Sequence, residues 1–79
     1  MNVYVVLRKE WYESFTKVLG VYSSIDKAEA AVRADAEASE YKVTHGFEDE
    51  ELRAYNVGAD GKAEYYHFID YTLSQNVVD

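Results

Sequence analysis

Two histidines, His45 and His67, and fifteen Asp and Glu residues are the side chains of this 79-residue sequence able to hold a metal ion or move a proton near neutral pH. Their spacing does not assemble a site. A transition-metal centre needs three or four converging ligands, and neither histidine has a second one at helical spacing. Glu48, Asp49, Glu50 and Glu51 form the densest run of carboxylates, but they lack the alternating ligand spacing and turn glycine of a calcium loop. Nucleophilic chemistry has less to draw on. There is no cysteine, and Ser14, Ser23, Ser24, Ser39 and Ser74 fall in no nucleophile-elbow pattern. Phosphate cradling needs a glycine-rich loop that opens a helix, and Gly20, Gly46, Gly58 and Gly61 are not placed that way. Two carboxylates far apart in sequence and close in space stay open as an acid–base pair. The sequence therefore predicts no enzyme, no catalytic residue, no metal and no cofactor.

It offers charge and aromatic surface instead. The formal net charge is −7, from 15 acids against 8 bases. Only Arg8 and Lys9 are adjacent among the bases, so the clustered cations that grip phosphate or an anionic membrane are missing. Such a chain is matched to a partner with a basic surface, although the same charge also serves plain solubility. Glu48, Asp49, Glu50 and Glu51 are the predicted charge site. Asp26, Glu29, Asp35, Glu37 and Glu40 would extend it along a helix as an imitation of nucleic-acid phosphates. Trp and Tyr dominate binding hot spots. Trp11 and Tyr12 fall in a predicted connection and Tyr66 on an aromatic strand, so these three are the predicted anchors. Trp11 has a second option, folding back onto an open sheet face. Tyr65, Tyr66, Phe68 and Tyr71 suggest a base-stacking platform, but one without its usual basic surround.

The elements that position these residues follow from periodicity. Val3, Val5 and Leu7 alternate with Tyr4, Val6 and Arg8, which predicts a strand over residues 3–9 with both faces apolar. Residues 15–22 alternate as a second strand, closing a hairpin across residues 10–14. Ser23 (with Asp26) or Ser24 caps a helix running to about Ala38, with Ile25, Ala28, Val32 and Ala36 near one face and a Glu29–Arg33 pair on the other. Residues 41–44 are a short strand or a linker. Like-charge repulsion favours an exposed loop at 48–51, with a helical turn over 48–55 as the competitor. Residues 52–57 and 63–73 form a hairpin about the turn at Gly58, Ala59, Asp60 and Gly61, with Tyr65, His67, Ile69 and Tyr71 on one face and Tyr66, Phe68 and Thr72 on the other. A polar tail at 75–79 is expected to fray. The fold class is α+β: one domain over residues 1–79, a small antiparallel sheet of 4–5 strands with one helix on one face, in the order β-β-α-(β)-β-β. No apolar run is long enough for a membrane span and no secretory leader is visible, so a cytoplasmic location is expected.

The segment Val3-Tyr4-Val5-Val6-Leu7, then Val18-Leu19-Gly20-Val21-Tyr22-Ser23-Ser24, then Lys27-Ala28-Glu29-Ala30-Ala31 resembles small uncharacterised domains of phages, prophages and bacteria, in which a hairpin leads into a Ser-capped helix and a late hairpin completes the sheet. The resemblance covers residues 1–35 and carries no catalytic residues. It implies a phage accessory protein that blocks a host nucleic-acid-binding or CRISPR-type defence complex. The expected function is thus a non-enzymatic acidic protein-binding module that occupies a basic surface of a host protein. The alternative is a self-association module, a homodimer built through the open sheet face or an edge strand.

Overall fold

In the computed structural model, which describes residues 1–78 apart from the side chain of Tyr65, the chain is α+β. The alternation at the start produces β1 (Asn2–Glu10), and β2 (Lys17–Tyr22) folds back on it. Then come α1 (Ile25–Ala38), β3 (Tyr41–Val43), β4 (Glu51–Val57) and β5 (Ala63–Val77). All pairings are antiparallel and the strand order is β2-β1-β5-β4-β3. The first and last strands thus meet in the middle of the sheet, from Asn2↔Val77 to Glu10↔Ile69. β5 has 15 residues, about 50 Å of strand at ~3.3 Å each, which accounts for a longest dimension of 48 Å.

Ser24 caps α1: its hydroxyl accepts from the Lys27 amide at 3.1 Å, while the Ser23 hydroxyl takes a hydrogen bond from the Lys27 ammonium. Asp26 in the first turn complements the helix dipole. Ala28, Val32 and Ala36, four residues apart, are fully buried against Val6, Leu52, Ala54, Ile69, Tyr71 and Leu73. Two of the three alanines in this core, Ala28 and Ala36, lie on the helix and let its backbone come close to the sheet.

Several expectations need correction. Ile25 does not join the helix's buried face but stays 43% exposed, because it precedes the first turn that lies over the sheet. Glu29 does not pair with Arg33; its carboxylate accepts from the Phe47 amide at 3.1 Å, tying the 44–48 connection to the helix. Gly46 permits this, since a Cβ there would meet the Glu29 carboxylate at 2.7 Å. β2 begins at Lys17, not Phe15, and does not alternate. Val6 pairs with Gly20 and Leu7 with Val18, so Leu19 is an extra residue and Val18 and Val21 both end exposed. The expected frayed tail is strand as far as Val77, because backbone pairing with β1 is indifferent to its polar side chains. Asp79 and the expected place of the Tyr65 side chain lie outside the described residues.

One sheet face carries the helix. The other is uncovered, and Val18 and Val21 on it are 64% and 59% exposed, beside half-buried Val5 and Leu7.

Candidate functional site

The β4–β5 register jumps from Tyr55↔Phe68 to Asn56↔Glu64, leaving residues 65–67 as extra residues on β5. Bulges of this kind re-aim side chains. Here Tyr66 is thrown out to 88% exposure. The β1–β2 connection packs against the same bulge. The Trp11 amide donates to the Phe68 carbonyl at 3.0 Å, and its indole lies on the His67 ring, centroids 4.6 Å apart and planes 31° apart. Tyr12 meets Trp11 edge to face at 5.5 Å and 81°. The connection is rigid: the Glu10 amide donates to the Glu13 carboxylate, the Glu13 amide to the Glu10 carbonyl, and Glu13 pairs with Lys17 at 2.9 Å. A hydrogen bond to the Glu10 carboxylate holds the Tyr12 phenol above its ordinary pKa. The Lys17 ammonium, followed by the Glu10 amide, holds the Glu13 carboxyl below its own. Trp11 and Tyr12 are nevertheless 46% and 66% exposed. The three aromatic anchors expected from the sequence are therefore brought to one end of the sheet, with His67 as an added member. His67 could have been suspected only from its position next to Tyr66.

The acidic run is neither a loose loop nor a helical turn. Glu48 and Glu51 exchange both backbone hydrogen bonds, at 2.8 and 2.9 Å, and close a two-residue turn. The Leu73 amide donates to the Glu50 carbonyl and ties the turn to β5. Asp49 and Glu50 occupy its corners at φ 49° and 66°, positions that favour Asn and Gly. All four acids are exposed and none forms an ion pair among the described residues. Replacing the corners (Asp49→Asn with Glu50→Gly) is expected to stabilise the fold by about 1 kcal/mol, from relieved left-handed backbone and reduced repulsion; urea unfolding measures it.

The structure does not join the two groups. Glu51 lies opposite Thr72, whereas Trp11 stacks on His67, five residues away or about 17 Å along β5. Nor is the helix a continuous acidic surface. Glu29 is bound to the Phe47 amide, and Asp35 faces inward, accepting from Arg8 Nε at 3.0 Å and from the Tyr71 hydroxyl at 2.6 Å. Asp26, Glu37 and Glu40 remain on the outside of the helix or just past it, too few for an extended phosphate imitation. The inward turn of Asp35 had a signal, since it stands three residues after Val32, on the helix's apolar stripe.

Sequence reasoning also missed Arg53, whose guanidinium lies 3.9 Å over the Phe68 ring while pairing with Asp70. Asp70 is the main reason its pKa is raised. Beside this pair is an open concavity of about 470 Å³ whose lining includes Lys9, His45, Glu48, Glu51, Arg53 and Asp70. Among the described residues, no group of three or more His, Asp or Glu side chains is placed to hold a metal ion. No described helix is long and apolar enough to cross a membrane. Comparison with protein-family models, curated proteins and solved structures gave no match.

Proposed function

We propose that this chain is a non-enzymatic protein-binding module, and that Trp11, Tyr12 and Tyr66 are its anchors. The observation that carries this reading is the aromatic end of the sheet. The Trp11 and Tyr12 rings are held by stacking, and Trp11 also by a backbone hydrogen bond, yet both are exposed, and Tyr66 is exposed on the same bulge. A fixed exposed aromatic loses little entropy on binding and removes much apolar area from water. The excess of acids over bases, and the carboxylates of Glu48, Asp49, Glu50 and Glu51, which form no ion pair among the described residues, favour a partner with a basic surface. With the acids about 17 Å from the aromatics, they act by steering and orientation more than by sharing one pocket. The finer form of the proposal is a phage accessory protein acting in the cytoplasm on a host nucleic-acid-binding or CRISPR-type defence complex. Its support is the resemblance over residues 1–35 together with the acidity.

Affinity capture from host lysate tests the reading, with three baits: the native chain, a Trp11→Ala/Tyr66→Ser variant, and one with Lys at positions 48–51. A basic partner held by the native chain and lost from the aromatic variant is the expected result. Its retention by the lysine variant at low salt would remove the role assigned to charge. Equal capture by all three baits would overturn the proposal.

Self-association has an observation of its own, the uncovered face with Val18 and Val21. A sedimentation mass that rises from monomer to dimer with concentration, and stays monomeric for Val18→Lys/Val21→Lys, would favour it.

A further inference from the structure

The two edges of the sheet differ. Among the described residues β3 is paired only with β4, and a groove of about 410 Å³ lies where this edge meets α1. Arg33 and Glu37 of the helix, Tyr41, Lys42 and Val43 of β3, and Val57 of β4 line it. Tyr41 and Val43 are half-buried and rest on the core, so they form an apolar floor. An edge strand leaves its outward amides and carbonyls without ladder partners, and an extended peptide can add to it.

The charges select the occupant. Of the eight bases, Arg8, Lys17 and Arg53 are in ion pairs and Lys27 is bound to Ser23. The other four, Lys9, Arg33, Lys42 and Lys62, are exposed and form no ion pair among the described residues, and two of them, Arg33 and Lys42, border this groove. On a chain of net charge −7, that is a local excess of positive charge. Glu37 offsets one of the two, leaving a balance that matches a single negative charge rather than an acidic tract. The three residues of β3 span about 10 Å, enough for the last few residues of a chain.

We propose that this groove binds the C-terminal end of another protein: an extended, apolar segment added beside β3, its terminal carboxylate held by Arg33 and Lys42. A three-residue edge supplies few backbone hydrogen bonds, so the affinity is modest and the carboxylate carries much of the selectivity. This site is independent of the aromatic end and of the partner proposed there.

Fluorescence anisotropy with a fluorescein-labelled hexapeptide of β-branched residues tests it, comparing the free C-terminal acid with its amide. The native chain is expected to bind the acid saturably and at least about tenfold more tightly than the amide, a difference of about 1.4 kcal/mol. Arg33→Glu/Lys42→Glu changes only exposed side chains and should erase that preference with the far-ultraviolet circular dichroism unchanged. Trp11→Ala/Tyr66→Ser should leave it intact, which separates this site from the aromatic one. Equal affinity for acid and amide, an undiminished preference in the charge-reversed variant, or no saturation below about 1 mM would overturn the proposal.

Discussion

Ile69→Ala is expected to lower unfolding stability by about 2–5 kcal/mol. Ile69 is fully buried on β5, flanked by Glu10 of β1 and Ala54 of β4 and sharing the core with Val32 and Ala36. The short neighbours matter. Alanines cannot swing into the space that the three removed carbons leave, so the cavity persists and its cost adds to the lost transfer energy. A 79-residue domain commands about 4–12 kcal/mol in all, and the core has nine buried residues among those described. The melting temperature should fall by about 4–8 °C for each kcal/mol lost. Phe68→Ala is the comparison, because its ring lies on the uncovered face beneath Arg53. It should cost less than half as much. If the two variants exchanged magnitudes, β5 would be displaced by one residue, since such a slip moves every side chain to the other face.

That sensitivity to register shows what could be read from the sequence and what could not. Local periodicity sufficed for β1, for the buried Ala28, Val32 and Ala36, and for the hairpin about Gly61, whose φ of 79° suits glycine. Each of these depends on residues close in the chain. The pairing of β1 with β5 does not, and it explains why residues 74–77 are ordered as strand despite polar side chains. Bulges were partly hidden. The extra residue at Leu19 stands beside Gly20, which marks such a break, but the three at 65–67 have no glycine or proline to announce them. The aromatic anchors were legible as residue types, but their assembly around the second bulge was not. The acids at 48–51 were legible as exposed charge. Their closure into a tight turn was not, because Glu50, where such a turn favours glycine, is a poor choice for a left-handed corner. Asp35 shows the opposite error: counted as surface charge, it is an internal partner.

Asp35→Ala is the second large expected effect, about 1–3 kcal/mol of lost stability. The carboxylate joins three elements, taking hydrogen bonds from Arg8 on β1 and Tyr71 on β5 while fixed to α1. Without it the hydroxyl of a residue 1% exposed loses its acceptor, and Arg8 is left with the Glu10 carboxylate at 3.3 Å and the Tyr71 oxygen. Burial lowers the pKa of Arg8, but Asp35, Tyr71 and Glu10 outweigh it and the net shift is upward. Tyr71→Phe leaves the Arg8–Asp35 pair in place and should cost less than Asp35→Ala. The double variant should cost less than the sum, because the two share one hydrogen bond. The same contact predicts an alkaline dependence. Burial, then the hydrogen bond and charge of Asp35, push the Tyr71 phenol well above its ordinary value of 10.0. Above that value the unfolded chain releases a proton that the native state retains. Stability is therefore full below about pH 10 and falls as pH rises toward the folded pKa, by up to about 1.4 kcal/mol per pH unit from this group. Urea unfolding between about pH 8 and pH 11 should show the native chain's advantage over Tyr71→Phe shrinking as pH rises, with Tyr12→Phe as a control for the exposed phenol. A constant gap would mean that the Tyr71 hydroxyl titrates freely and that Asp35 does not hold it against the helix.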